Sequence, residues 1–394
     1  MMVEPKLRFK ADDGSDFPDW EEEMLGELVE IQRGGSPRPI SKFITTGEGI
    51  NWIKIGDAPS HGNCITKVKE RIIPEGKAKS REVHKGDLLL SNSMSFGRPY
   101  ILGVDGCIHD GWLVVHDTNA VFETEFLCGY LGTESVFRQY KRLAAGSAVN
   151  NLNKDLVSSV VLGVPSLPEQ RKIADLLSAV DDVISAQEAE VAAWEKRKKG
   201  VMQKLFSQEV RFKADDGSDF PDWEEKTLGD ICMYERQRSE GANFVGTENM
   251  LKDFGGVTFD NSNADGPGTL YHPGDTLMSN IRPYLKKAWL ADRKGICSTD
   301  VLVFHPTSVE PGYLYWLIAS DAFVRYVMSA AKGSKMPRGD KKHIMEMPLL
   351  LPNKDEQCKI DDCLSSLNDV IIKAKNELAK WQELKKGLLQ QMFV

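Results

Sequence analysis

Thirteen consecutive residues, Arg-Phe-Lys-Ala-Asp-Asp-Gly-Ser-Asp-Phe-Pro-Asp-Trp, stand at Arg8–Trp20 and again, unchanged, at Arg211–Trp223. Two identical segments 203 positions apart make the chain a tandem duplication, and the second copy starts near its middle. Such a repeat limits the fold more than any single motif, because two like halves in one polypeptide are free to adopt pseudo-twofold symmetry. At 394 residues there is room for two to four domains. Apolar content of 41% and charged content of 27% are those of an ordinary globular protein. No stretch of about 18 apolar residues is present, which excludes a membrane-spanning helix, and the first residues lack the apolar core of a signal peptide. The seven cysteines are scattered and odd in number, as expected of a reducing cytosol rather than a disulfide framework or a structural zinc site.

The duplication runs further than the thirteen residues. Glu169-Gln170 and Glu356-Gln357 each open a long helical stretch. In the first stretch Leu177, Val180, Ile184, Gln187, Val191, Trp194, Lys198, Val201 and Leu205 recur with alternating spacing of three and four. Leu364, Leu367, Ile371, Ala374, Leu378, Trp381, Lys385, Leu388 and Met392 occupy the same nine slots 187 positions on. Sustained 3–4 spacing is a coiled-coil seam, and the identical registers favour the two helices pairing with each other, antiparallel, over the alternative that each packs on its own globular block. Proline is absent from their interiors, and Pro165, Pro168 and Pro352 lie at or before their starts, where proline is tolerated. Each helix is expected to run about 36–38 residues, roughly 55 Å. Lys198 and Lys385 interrupt the seam, so their stems are expected to pack with the amines in solvent; contact with phosphates or a partner subunit is the alternative. Trp194 and Trp381 read as core.

Between the arms lie two blocks, 21–165 and 224–352, that share only landmarks. Lys85-Gly86-Asp87-Leu88-Leu89-Leu90-Ser91-Asn92 matches Pro273-Gly274-Asp275-Thr276-Leu277-Met278-Ser279-Asn280, and Gly146-Ser147 matches Gly333-Ser334. Phe126 to Arg138 and Tyr313 to Arg325 read as similar amphipathic helices, and short strands are expected at Trp52–Ile55, Asp87–Ser91, Ala120–Phe122, Thr276–Ser279 and Val301–Phe304. The expected fold is mixed α/β (α+β): two globular blocks separated by an antiparallel pair of long coiled-coil helices. The segments are 1–20, a first block 21–165, a helix 166–208, the repeated segment 209–223, a second block 224–352 and a helix 353–394.

The order of these landmarks resembles a known family. Trp20 to Gly26 and Trp223 to Gly229 carry Trp-x-x-x-x-Leu-Gly; Gly34-Gly35-Ser36-Pro37 and Ile50-Asn51-Trp52-Ile53 follow in the first copy, then Gly-Asp-Leu-Leu-Leu-Ser and Pro-Ser-Leu-Pro-Glu-Gln-Arg-Lys-Ile-Ala (165–174). Together these resemble the specificity (S) subunit of Type I restriction–modification systems over nearly the whole chain. The second block departs from the pattern: it lacks the Gly-Gly-Ser-Pro element, and its pre-helix segment lacks a second proline. The resemblance implies two target-recognition domains, each reading one half of a bipartite double-stranded DNA target, with segment 1–20 docking near the end of the second helix. It implies a subunit without catalytic activity that scaffolds two methyltransferase (M) subunits and, through them, restriction (R) subunits, with no membrane partner. No cofactor is expected on this chain; S-adenosylmethionine, ATP and magnesium are expected on the partners, in a prokaryotic cytoplasm.

Charge along the chain bears on the same question. The net charge of −8 argues mildly against a polyanion partner, yet it is unevenly spread. Lys67, Lys69, Arg71, Lys77, Lys79, Arg81 and Lys85 face only three glutamates, and Lys332, Lys335, Arg338, Lys341 and Lys342 face only Asp340. Local positive charge is what phosphates need, although a charge run is more often a solvated face. The loops at Asn92, Arg98 and Tyr100 and at Asn280, Arg282 and Tyr284 share Ser-Asn and Arg-Pro-Tyr. Asn and Arg can make bidentate contacts with base edges, but residues common to two readers of different sequences are better suited to positioning. The acidic repeated segments read as a joint between arm and block. Signatures of an amino-methyltransferase, a phosphate loop or a His-Glu-x-x-His site are missing, and the seven histidines are expected not to cluster. Two other readings stay open: a scaffold that binds only protein, and a self-contained methyltransferase or nuclease.

Overall fold

A computed structural model of the chain describes residues 5–59, 62–92, 97–144, 152–259 and 266–393. His61, Gly146-Ser147 and positions 93–96 of the first Ser-Asn loop lie outside the described residues. The chain forms two compact units, residues 1–189 with 375–394 (unit 1) and residues 190–374 (unit 2).

Unit 1 contains β1 (Glu21–Met24), β2 (Glu30–Arg33), β3 (Ile44–Thr45), β4 (Ile50–Ile53), β5 (Cys64–Ile65), β6 (Glu70–Ile72), β7 (Arg81–Val83), β8 (Leu88–Ser91), β9 (Pro99–Leu102), β10 (Gly106–Ile108), β11 (Trp112–His116) and β12 (Val161–Val164). Ten of these build two five-stranded sheets, β3-β6-β4-β10-β7 and β2-β11-β8-β9-β5, while β1 and β12 pair antiparallel by themselves. Ile53, Val83 and Ile108 of one sheet meet Leu89, Tyr100, Trp112 and Val114 of the other in a sandwich core. The opposite face of β8 and β11 (Leu88, Leu90, Leu113, Val115) packs against helices. Both faces of these strands are therefore covered, and they read as unbroken apolar runs rather than alternating ones. The helices α1 (Leu25–Leu28), α2 (Thr124–Leu131), α3 (Glu134–Ala144) and α4 (Lys154–Ser158) accompany the sheets.

Unit 2 repeats the plan with β13 (Glu224–Thr227), β14 (Cys232–Tyr234), β15 (Arg238–Ser239), β16 (Phe244–Val245), β17 (Gly268–Tyr271), β18 (Thr276–Ser279), β19 (Ala288–Leu290), β20 (Gly295–Cys297), β21 (Val301–Pro306) and β22 (Pro348–Leu351). The sheets are β14-β21-β18-β19 and β15-β17-β20-β16, and β13 pairs with β22 as β1 does with β12. Two differences from the sequence expectation concern unit 1. Ala120–Phe122 is not a strand: Ala120 has φ +53°, and Phe122 N donates to Asp117 Oδ2 at 2.6 Å, closing a turn. The stretch from Phe126 to Arg138 is two helices, α2 and α3, broken at Gly132-Thr133, where the Thr133 hydroxyl bonds back to Tyr130 O at 2.7 Å. In unit 2, after the short α6 (Leu228–Ile231), the stretch from Tyr313 to Arg325 is likewise split between α7 (Pro311–Ile318) and α8 (Asp321–Ser329), with Ser320 capping α8.

The long helices are α5 (Leu167–Phe206), of 40 residues, and α10 (Lys354–Met392), of 39, about 60 and 58 Å at 1.5 Å per residue. They exceed the expected length because each begins two residues before its Glu-Gln pair. Each unit takes half of both. In unit 1 Leu177 shares a core with Met392 and Phe393, and Lys385 Nζ meets Asp181 Oδ1 at 2.5 Å. In unit 2 Met202 and Leu205 share a core with Ile360 and Leu364, and Lys198 Nζ meets Asn368 Oδ1 at 2.9 Å. Rising numbers on α5 meet falling numbers on α10 in both units, so the halves run antiparallel. The seam positions Leu177, Val180, Val191, Leu364 and Ile371 are all buried, and Ile184, Leu367 and Leu378 half-buried. Two seam expectations change. The amines of Lys198 and Lys385 are not left in water but bridge to the facing helix. Trp194 and Trp381 are half-buried rather than core, and Trp194 Nε1 donates to Glu190 on its own helix at 3.3 Å.

Candidate nucleic-acid interface

Each unit is built on the same polar joint. In unit 1 Glu169, fully buried at the start of α5, accepts from Arg8 Nε at 3.0 Å and Nη2 at 2.9 Å and from Trp20 Nε1 at 3.1 Å. In unit 2 Glu356 accepts from Arg211 at 3.1 and 2.8 Å and from Trp223 at 2.9 Å. A buried carboxylate is tolerated only when its oxygens are paired and hydrogen-bonded, and here three donors from the repeated segment do this. Gln170 and Gln357 complete the joint: Gln170 Oε1 accepts from Glu123 N at 2.9 Å and its amide donates to Pro165 O, while Gln357 Oε1 accepts from Glu310 N at 2.9 Å and its amide donates to Pro352 O. The thirteen-residue repeat thus ties each block to the head of a long helix. Segment 1–20 also reaches the end of α10, with Leu7 N donating to Gln391 O at 3.0 Å.

Beyond the joint the two blocks present different surfaces. In unit 1 Lys67, Lys69, Arg71, Lys77, Lys79 and Arg81 are all exposed, but they do not make one patch. Arg71 lies in the middle of β6 and Arg81 starts β7, and β4 and β10 lie between these strands, a separation of about 14 Å across the sheet. Lys77 pairs with Glu82 at 2.6 Å, Lys79 lies over the Phe43 ring at 4.9 Å, and Lys69 Nζ donates to Gly56 O at 3.4 Å.

The Ser-Asn loops hold the largest correction. Asn92 is 3% exposed and its amide donates to Asp110 O at 2.9 Å; Asn280 is 7% exposed, and its Oδ1 is buried with no hydrogen-bond partner among the described residues. Both side chains are turned inward, which removes them from a DNA-facing surface. Tyr100 is buried against Trp112, edge to face at 5.6 Å, and is likewise not surface-facing. The shared Arg-Pro-Tyr is also not shared in space. Ser91 N donates to Arg98 O and Ser279 N to Lys287 O, each at 3.0 Å; Leu89 pairs with Tyr100 and Leu277 with Trp289. By ladder register the counterparts of Arg98 and Tyr100 are therefore Lys287 and Trp289. Arg282 and Tyr284 belong to an additional turn, Pro283–Leu285, that stands outside the β18–β19 ladder; the corresponding positions of the first block lie outside the described residues. There Arg282 is exposed and Tyr284 is 48% exposed. Arg98 is exposed too, its Nη2 donating to Gly62 O at 3.1 Å.

The second basic run is more compact. Lys332 and Arg338 face each other in a small hairpin, with Lys335 exposed at its tip. Lys332 reaches Asp340 at 2.9 Å and Arg338 reaches Asp300 at 3.1 Å. Asp340 caps α9 (Lys341–Met345) by accepting from Lys342 N and His343 N; Lys332 and this capping hold its carboxyl down at about 2. Lys341 is exposed in the first turn of that helix. Unit 2 is further braced by Asp321, at the head of α8 (Asp321–Ser329), which meets Lys286 of the additional turn at 2.6 Å and Lys199 of α5 at 2.8 Å. These two lysines, Lys199 first, lower its carboxyl to about 2.

Two groups need comment for chemistry. The histidines do cluster once: His305 Nδ1 lies 2.7 Å from the buried Asp275, and His272 lies 3.9 Å from it. That contact joins β21 to the turn before β18 and could not be read from spacing along the chain. A cleft of about 730 Å³ in unit 1 is lined by Arg98, Cys128, Asp181 and Lys385. Burial pushes the Cys128 thiol up to about 12, which leaves it a thiol, not a nucleophile, at neutral pH.

Comparison with known proteins gives a consistent answer. Residues 18–193 and 221–381 match the model of the Type I restriction modification DNA specificity domain, once in each half. The chain is similar to the Type I restriction enzyme MjaVIII specificity subunit of Methanocaldococcus jannaschii, 21% identical over 98% of this chain and 95% of that protein. It is 26% identical to the MjaIX specificity subunit of the same organism over 58% of this chain and 56% of that one. The fold matches the crystal structure of a Type I restriction–modification S subunit from M. genitalium with TM-score 0.60, at 14% identity, over 100% of this chain and 99% of the other.

Proposed function

The chain belongs to the Type I restriction–modification DNA specificity family, and on that premise we propose that each of its two blocks reads one half of a bipartite duplex target. The family's domain confers DNA specificity rather than catalysis. One observation supports the bipartite reading above the rest: the Arg–Glu–Trp joint is built twice from identical residues, whereas the sheets mounted on it differ, five-stranded in the first block and four-stranded in the second. An identical frame carrying two dissimilar blocks is what two readers of different half-sites require. Residues 21–165 and 224–352 are the readers, helices 166–208 and 353–394 the arms, and 1–20 with 209–223 the joints. The arms set the number of base pairs between the half-sites and carry two methyltransferase subunits, with restriction subunits attached through these. S-adenosylmethionine, ATP and magnesium act on those partners, and a flipped adenine is received there. The working compartment is the cytoplasm, where chromosomal DNA lies. Inserting one heptad into both helices should lengthen the spacer and leave the half-sites unchanged.

The test is retention of duplex DNA by this chain in complex with its methyltransferase partner. Sequence-selective retention that weakens linearly in log affinity with log salt is expected. Retention indifferent to sequence, or none, would instead support a scaffold that binds only protein.

A further inference from the structure

Three loops of unit 2, drawn from distant parts of the block, are locked together by main-chain hydrogen bonds. Asp253 N donates to Leu285 O at 3.1 Å and Phe254 N to Lys286 O at 2.7 Å, joining the loop after β16 to the additional turn after β18. Arg282 N donates to Pro337 O at 2.8 Å, joining that turn to the Lys332–Arg338 hairpin. Asp253, Phe254, Arg282 and Lys286 all hold positive φ, between 51° and 59°. Side chains other than glycine stay there only when their surroundings over-determine the backbone, and such sites gather where a surface must be pre-shaped. Within two residues of these junctions stand Leu251, Tyr284 and Met336, 43%, 48% and 49% exposed, among the exposed cations Lys252, Arg282 and Lys335.

Large apolar side chains left in water on a pre-shaped edge, flanked by cations, match the chemistry of a base-contacting surface. Cations take phosphates and position the protein, while apolar groups in the major groove read the C5-methyl of thymine. A rigid edge also lowers the ordering cost of binding. Resting on the reading of this chain as a DNA specificity subunit, we propose that this three-loop edge is the base-contacting surface of the second block. Tyr284 and Met336 make apolar contacts with thymine methyl groups, and Arg282 and Lys335 flank them on phosphate or guanine.

The second block's half-site is the one that survives exchange of residues 21–165. With the complex of this chain and its methyltransferase partner, affinity is measured for the target duplex and for one in which uracil replaces thymine in that half-site, removing only methyl groups. Uracil should weaken wild-type binding roughly fourfold per contacted methyl. Tyr284→Ala and Met336→Ala should weaken binding to the thymine duplex, relax that half-site alone in methylation profiles, and abolish the difference between the two duplexes. Both side chains are exposed, so unchanged unfolding midpoints are expected and distinguish lost contact from lost fold. A second half-site without thymine, equal wild-type affinity for the two duplexes, or variants with the wild-type profile would each overturn the proposal. If the wild-type complex shows no sequence-selective retention at all, the DNA reading itself fails.

Discussion

Glu169 and Glu356 are the buried polar anchors of the two joints. Each is wholly buried and each answers an arginine and a tryptophan from the repeated segment, so losing the charge strands a guanidinium in a partly closed site. Glu169→Gln and Glu356→Gln should each cost about 2–4 kcal/mol, in line with breaking a buried pair, measured by urea unfolding of the chain. A cost under about 0.5 kcal/mol for either would mean the joint is solvated rather than structural. Asp321 is a second residue whose charge matters, and its pH dependence has a defined sign. Its carboxyl is lowered from the ordinary 3.8 to about 2 by Lys199 and Lys286, so the fold favours the ionised form. That contribution is complete above pH 4 and disappears as pH falls towards 2. Asp321→Asn should therefore cost about 1–2 kcal/mol at neutral pH, after allowance for partial exposure, and the gap to wild type should close between pH 4 and 2. Neither residue's role was legible beforehand. Arg8 and Glu169 are 161 positions apart, and only their recurrence as Arg211 and Glu356 hinted that they belong together.

At the scale of elements, the helices were the most legible part of the sequence. Alternating spacing of three and four, repeated at one offset, admits little but a seam, and the buried positions on α5 and α10 follow it. What spacing could not supply was the polar content of that seam. The same repeat that equates Lys198 with Lys385 equates Asp181 with Asn368, so Lys198–Asn368 and Lys385–Asp181 are one contact in two versions, at 2.9 and 2.5 Å. Asn368→Asp should convert the neutral version into the charged one and stabilise unit 2 by about 0.2–1 kcal/mol, with Asp181→Asn giving the opposite effect. A thermal midpoint lowered by Asn368→Asp would refute the equivalence. The strands were less legible, for a physical reason. Ser91-Asn92 and Ser279-Asn280 are equivalent in sequence and in ladder register, yet Lys287 lies eight positions after Ser279 and Arg98 only seven after Ser91. Five residues stand between Asn92 and Arg98 but one between Asn280 and Arg282, so Tyr100 falls in β9 and is core while Tyr284 falls in the turn before β19 and is in solvent; position in the ladder, not sequence match, decides which face a side chain takes.

At the scale of the whole molecule, a duplicated frame with divergent surfaces explains why the chain carries one feature without change and lets the rest vary. Of the repeated residues, Arg8, Trp20 and their copies make the joint, while Asp12, Asp13, Asp16 and Asp19 face solvent; the segment ties block to arm and stands apart from the loops that differ. Blocks mounted on identical joints should be exchangeable, and each is expected to act on its own half of the target. Methylation profiling of a host that expresses this chain with its methyltransferase partner, beside one in which residues 21–165 are replaced by the corresponding block of a relative, tests this most directly. The wild type should give a single bipartite adenine motif, and the exchange should change one half while spacer and other half persist. A continuous motif, a change in both halves, or no motif from an active partner would contradict it.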